Sequence, residues 1–203
     1  VYINIRDLQG LFNLNSLSPG ADTEKASQRF ERLLNDLLLP ASANPSTIAT
    51  DTKNWLDANS SASNTYQNLE PSYSASGMVF SHPSELMLLE SVDRETFLVI
   101  EPYVTALPSG TLLNINTTPE HILQAWDPKL SLADAKTVVT EARAGSCGLK
   151  VRNDNIFQSI EDFLENENIK DLVGPVNDTK NLWGDPDPGS DFQVSSQYFS
   201  VMI

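Results

Sequence analysis

The chain has 203 residues, enough for one large domain or two small ones, and its 40% apolar content allows an ordinary buried core. Asp and Glu number 27 against 13 Lys and Arg, a net charge of -14 that repels nucleic-acid backbones and anionic membrane surfaces. The one cysteine, Cys147, excludes an internal disulfide and has no CxxC partner for redox work.

The chain opens on Val1-Tyr2-Ile3-Asn4-Ile5, where apolar residues alternate as in a half-buried strand. It closes on a second strand-like run, Phe199-Ser200-Val201-Met202-Ile203. Termini are usually looser than this, so both ends read as cuts, and an N-terminal anchor would fall outside the sequence. No apolar run reaches the ~18 residues of a membrane-spanning helix, and no signal peptide is legible. After a turn at Gly10, the spacing of Ala26, Phe30, Leu33, Leu34, Leu37 and Leu38 predicts an amphipathic helix stopped by Pro40. A polar stretch from Ser42 to Thr52 leads to Trp55-Leu56-Asp57 and a Ser/Ala/Asn-rich loop.

Ser84 precedes a short helix over Glu85-Leu89, and Arg94-Ile100 is another, ended before Pro102. Thr118-Pro119-Glu120 predicts a helix capped by the threonine hydroxyl, with proline at the first helical position, running to Trp126. Ser131 and Asp134 form a capping-box-like start for the stripe Leu132, Ala135, Val138, Val139 and Ala142, ended by Gly145. Ile160, Phe163 and Leu164 mark one more helix, and Gly174 to Asp191 is rich in Pro, Gly and Asp. Phe12-Asn13-Leu14-Asn15 and Leu113-Asn114-Ile115-Asn116 echo each other, each ahead of a helical hairpin. Helices in the middle and strands at both ends predict an α+β fold: an α-helical domain inserted into a sheet.

Motifs for catalysis are missing. His82 and His121 are the only histidines, no G-x-S-x-G is present, and two distant histidines with one cysteine give no zinc spacing. Paired carboxylates could serve a hydrolase, but with this many acids pairs arise by chance. The segment from Leu113 to Leu123, with Ala135, Arg143, Phe157 and Ser159-Asp162, resembles a helix-hairpin-helix module, whose nucleic-acid-binding form is the alternative reading of function. Here the hairpin is Asp127-Pro128-Lys129-Leu130-Ser131, without the glycines whose N–H groups would cradle a phosphate. Two acidic loops offer the hard oxygen ligands that calcium takes: Asp51, Asp57 and Asn59 in one, and Asp185, Asp187 and Asp191 in the other, with Asp178 upstream. Neither has EF-hand spacing, and from the sequence alone solvated acidic loops are the favoured explanation.

Several segments in order resemble the K-type minor pseudopilins of type II secretion. They are Asp7 to Leu17, Phe30-Glu31-Arg32-Leu33-Leu34, Asn54-Trp55-Leu56-Asp57-Ala58-Asn59, Ser84-Glu85-Leu86, Leu107-Pro108, Leu113 to Thr117 and Ser196-Gln197-Tyr198-Phe199. The resemblance implies a pilin-like antiparallel sheet, with strands from residues 1–19 and 190–203, carrying a large inserted helical domain over 20–189. It implies a periplasmic location with an inner-membrane anchor helix, and a place at the pseudopilus tip with I-type and J-type minor pseudopilins. There the subunit would initiate or cap assembly for export of folded proteins, near secreted substrates and the outer-membrane secretin. It implies no enzymatic activity, no nucleic acid, and in some members calcium. Around Trp55 this chain departs from the family's acidic pattern, with Asn54, Asn59 and Ser61-Ala62-Ser63-Asn64 where carboxylates are common.

Overall fold

Short pairings tie distant parts of the chain together in the computed structural model, which describes residues 3–20, 22–143, 157–166, 169–170 and 190–203. Strand β1 (Asn4–Asp7) pairs antiparallel with β6 (Phe199–Met202). Strand β2 (Phe12–Asn13) pairs in parallel with β3 (Val104–Thr105), and β4 (Leu113–Asn114) with β5 (Phe192–Gln193). The architecture is thus mixed, helices with small two-stranded sheets. Two compact units result: Phe12–Thr111, and Val1–Leu11 together with Leu112–Ile203.

In the unit Phe12–Thr111, the predicted stripe becomes helix α1 (Thr23–Asp36), with Ala26, Phe30, Leu33 and Leu34 buried. Phe30 stacks on Phe12, ring centroids 5.1 Å apart. The helix stops sooner than the sequence reading has it. Leu37 is already extended, at ψ 145°, and Leu38 is 94% exposed. Asn35 and Asp36 in the last turn are poor helix formers, and Pro40 keeps the residue before it out of the helical region.

Helix α2 (Pro45–Leu56) stands where the sequence reading has a polar stretch and a loop. Asn44 accepts a hydrogen bond from the Thr47 N–H (3.0 Å), and Pro45 occupies the first helical turn. Ile48, Ala49, Thr52, Trp55 and Leu56 form its buried face, which packs with α1. A short α3 (Ser63–Tyr66), a 3₁₀ segment (Pro83–Leu88) and α4 (Arg94–Ile100) complete this unit's main elements.

In the other unit, α5 (Glu120–Trp126) and α6 (Leu132–Arg143) form a helical hairpin, followed by α7 (Ile160–Leu164). The start of α6 is capped by the expected pair, Ser131 Oγ accepting the Asp134 N–H at 3.2 Å and donating to Asp134 Oδ2 at 2.6 Å. The start of α5 is not. Thr118 turns its hydroxyl back to the Asn114 carbonyl (2.7 Å), and Pro119 stands at the N-cap without a side-chain hydrogen bond. Gly145, the expected end of α6, lies outside the described residues. Phe192 brings the core together, with Trp126 and Phe163 at 5.8 and 5.3 Å between ring centroids.

The sequence echo corresponds to a duplicated arrangement. Asn15 Nδ2 donates to the carbonyls of Phe80 and Leu107 (both 2.9 Å), while its Oδ1 accepts the Phe80 N–H (2.7 Å). Asn116 Nδ2 donates to the carbonyls of Phe157 and Val194 (both 3.0 Å), while its Oδ1 accepts the Phe157 N–H (3.0 Å). Shortly after each phenylalanine comes a capping box: His82 with Glu85, and Ser159 with Asp162. Each acid accepts two backbone N–H groups, Glu85 those of Ser81 and His82, Asp162 those of Gln158 and Ser159. The next residues, Leu86 and Phe163, are both fully buried. Each module opens on a two-residue parallel strand and an Asn-x-Asn clamp, and each has a helical hairpin in between.

Candidate functional site

The feature that asks for a partner is the β1–β6 ribbon. Its register sets Ile5 opposite Val201 and Asp7 opposite Phe199. Paired residues share a face and alternate residues return to it, so Ile3, Ile5, Phe199 and Val201 form one apolar face. The alternation in Val1 to Ile5 predicts a half-buried strand; here the strand begins at Asn4, and these four side chains are 52–65% exposed. Full burial of each would contribute on the order of 1.5–3 kcal/mol. An isolated two-stranded ribbon is marginal on its own, and contiguous exposed apolar side chains mark interaction surfaces.

Polar residues hold the ribbon's base. Asp7 Oδ2 accepts from Ser196 Oγ (2.5 Å), Thr117 Oγ1 (2.6 Å) and Asn114 Nδ2 (3.1 Å), and its Oδ1 accepts the Gln9 N–H (2.8 Å). The buried Gln9 accepts the N–H groups of Gln197 and Tyr198 on its Oε1 and donates to the Leu112 carbonyl (3.4 Å). Gly10 allows the close approach: a Cβ there would stand 2.7 Å from the Thr117 carbonyl oxygen. Sequence reasoning missed Asp7 and Gln9 as a pair, because their partners lie about a hundred or more residues away.

The calcium candidates are distributed differently from the expected loops. Asp51 lies on α2, not in a loop. Asp57 caps the end of α2, and six residues along a helix separates it from Asp51 by about 120° around the axis. Asp57 and Asn59 do meet, but in a local turn: Asp57 Oδ1 accepts the Asn59 N–H at 2.8 Å. Asp191 uses its backbone carbonyl to accept the Leu113 N–H (3.0 Å), and Asp178, Asp185 and Asp187 lie outside the described residues. Among the described residues, no group of three or more His, Cys, Asp or Glu could hold a metal ion. The described residues therefore do not fit a carboxylate cage for calcium.

The helix-hairpin-helix reading meets a chemical obstacle at the α5–α6 turn. The Asp127 N–H donates to the Gln124 carbonyl (3.3 Å), the Lys129 N–H to Asp127 Oδ1 (2.8 Å), and the Leu130 N–H to the Asp127 carbonyl (3.2 Å). Pro128 has no N–H. The donors a phosphate would use are thus spent within the turn, beside a carboxylate. His82 serves as a cap, its Nδ1 accepting the Ser84 N–H at 3.2 Å, and His121 stands in the first turn of α5.

Near Asp51 lies an aromatic group that the sequence reading did not assemble. Trp55 meets Tyr66 edge-on at 5.1 Å, and Tyr66 stacks on Tyr73 at 5.2 Å. Burial pushes the Tyr66 phenol from 10.0 up to about 12, with the negative charge of Asp51 adding to the rise. Gly77, at φ +61°, sits 3.0 Å by its would-be Cβ from Ala58 and donates its N–H to the Trp55 carbonyl (2.9 Å). This group fastens the 57–77 loop to α2.

Two family models, both described as type II secretion system (T2SS), protein K, match residues 10–109 and 113–181. A type II secretion system protein K from Klebsiella pneumoniae is 32% identical over 163 residues, covering 72% of this chain and 49% of that protein. Its counterpart from Aeromonas hydrophila is 33% identical over 159 residues, covering 67% of this chain and 47% of that protein. The chain thus spans about half the length of the curated relatives it matches. Among solved structures, a chain of the GspK-GspI-GspJ complex from the enterotoxigenic Escherichia coli type 2 secretion system has a similar fold. The TM-score is 0.68 at 21% identity, over 98% of this chain and 67% of that one.

Proposed function

This chain belongs to the type II secretion system protein K family, and on that premise we propose that it is the periplasmic part of a minor pseudopilin at the pseudopilus tip. Its work is done by surfaces and not by a catalytic centre. The observation that carries this reading is the exposed apolar face of the β1–β6 ribbon, formed by Ile3, Ile5, Phe199 and Val201. In this reading the ribbon belongs to a larger pilin-like antiparallel sheet, completed by segments of the whole protein, and the helical modules between β1 and β6 are its insertion. An N-terminal helix anchors the whole protein in the inner membrane. No described helix is long and apolar enough to cross a membrane.

The proposed partners are I-type and J-type minor pseudopilins. The similarity to a chain from a GspK-GspI-GspJ complex supports that choice. A helical insertion too wide to be overlaid by another subunit would cap the growing pseudopilus by sterics alone. The chain's net charge of -14 and the internally spent donors of the α5–α6 turn give the nucleic-acid alternative no support. Calcium takes no part in the proposal.

The test combines the two ideas. Ile5→Lys with Val201→Lys places charge on the apolar face, and is expected to abolish association with the partners and secretion in cells while the isolated chain stays folded. Normal association of the double variant would remove the ribbon from the interface. Deleting residues 20–190 is expected to release the cap, and unchanged pseudopilus length in cells would contradict the steric mechanism.

A further inference from the structure

The ribbon's side chains on both faces are largely exposed, so apolar packing cannot be what holds it to its own unit. Its residues Asn4, Ile5, Arg6, Phe199, Val201 and Met202 are all exposed. What remains is the polar base, and there one carboxylate oxygen collects three donors from three separate places: Asn114 on β4, Thr117 in the turn after it, and Ser196 before β6. Hydrogen bonds to an ionised acceptor are about twice as strong as neutral ones. An asparagine at this position would be a weaker hub: it carries no charge, and in either orientation its NH₂ faces a fixed donor, Asn114 Nδ2 on the Oδ2 side or the Gln9 N–H on the Oδ1 side.

The duplicated module supplies an independent comparison. In the first copy, Asn13 Nδ2 donates to the Pro108 carbonyl (2.9 Å), a bond inside the module. In the second copy the corresponding Asn114 Nδ2 is diverted outward, to Asp7 Oδ2 (3.1 Å) and Ser196 Oγ (2.7 Å). Both asparagines keep the other half of the clamp, accepting the N–H of Asn15 or Asn116 on Oδ1. The shared clamp has been adapted in one copy to grip the ribbon.

We infer that Asp7 is a positioning residue: it latches the β1–β6 ribbon to the second helical module and presets the apolar face for its partner. The second half of this inference rests on the assembly reading above. A latched ribbon has little orientational freedom left to lose on binding, whereas an unlatched one gives up affinity to become ordered.

The test is hydrogen exchange on the whole chain, read at the amides of residues 4–6 and 200–202, with amides of α1 and α2 as an internal control. Asp7→Ala is expected to speed ribbon exchange by about 10-fold or more while the control amides keep their rates. Asp7→Asn is expected to be no better than Asp7→Ala. Should Asp7→Ala disturb the control amides too, Ser196→Ala and Thr117→Val each remove one donor and are expected to give smaller accelerations of the same amides. Unchanged ribbon exchange in these variants would overturn the latch. Affinity for the mixed I-type and J-type partners, measured on the same variants, is expected to fall about 10-fold or more along with protection. Faster exchange with unchanged affinity would overturn the role in presetting. If the unaltered chain bound neither partner, the assembly reading alone would fail, and exchange would still decide the latch.

Discussion

Asn15 and Asn116 hold the same three backbone groups in their respective modules, yet one is sealed in a core and the other is half-buried. The first module closes on itself: its Asn13 amide serves Pro108, and its hairpin packs α1 on α2, with Phe30, Leu33 and Ile48 buried. The second spends the matching Asn114 amide on Asp7 and Ser196, outside the clamp. The difference teaches that one clamp serves two ends. In the first copy it stabilises a fold, and in the second it also carries a load, the terminal ribbon with its exposed face.

The comparison can be broken most directly at the clamps. Asn15→Ala leaves three buried backbone groups without their partner and should cost about 3–5 kcal/mol in urea unfolding, against about 1–3 kcal/mol for Asn116→Ala. Equal or reversed effects would mean that burial does not distinguish the copies. Next comes Gly10→Ala, which forces a methyl to within 2.7 Å of the Thr117 carbonyl oxygen. A loss of about 1–3 kcal/mol is expected, together with faster exchange in the ribbon, and an unchanged melting temperature would deny the close approach its importance.

The capping boxes sharpen the parallel, because here the copies should agree. Glu85→Ala and Asp162→Ala are each expected to cost about 1 kcal/mol, and a clear disparity between them would weaken the equivalence of the modules. The smallest effect at neutral pH is expected at a residue peculiar to the first module. The raised Tyr66 pKa means that the neutral phenol is favoured in the fold. Its contribution is fully present below pH 10 and is lost as pH rises through about 12. Tyr66→Phe should leave stability at pH 7 nearly unchanged and flatten this alkaline loss, which an alkaline unfolding series would detect.

Much of this was legible because it is local. The α1 stripe, the Ser131–Asp134 box and the Arg94–Ile100 helix are short-range patterns, and the ordered segments from Asp7 to Phe199 were enough for the family. Helix α2 was obscured because Ser46, Thr47, Thr50 and Thr52 read as a polar loop, although Asn44-Pro45 is an N-cap with proline at the first helical position. Two-residue strands such as β2 and β4 are too short to show alternation. The asparagine clamps were visible only as an echo, because Asn15 reaches partners 65 and 92 residues away. Asp51 and Asp57 were neighbours in the sequence reading, but helical geometry sets them on different sides of α2.

The most direct test of the assembly account is light scattering coupled to size-exclusion chromatography. This chain is mixed with the soluble I-type and J-type minor pseudopilins of the same organism, beside the Ile5→Lys, Val201→Lys variant. The account predicts a stable 1:1:1 complex for the unaltered chain and none for the variant. Elution of the unaltered chain alone at every concentration, or an equally stable complex with the variant, would contradict it.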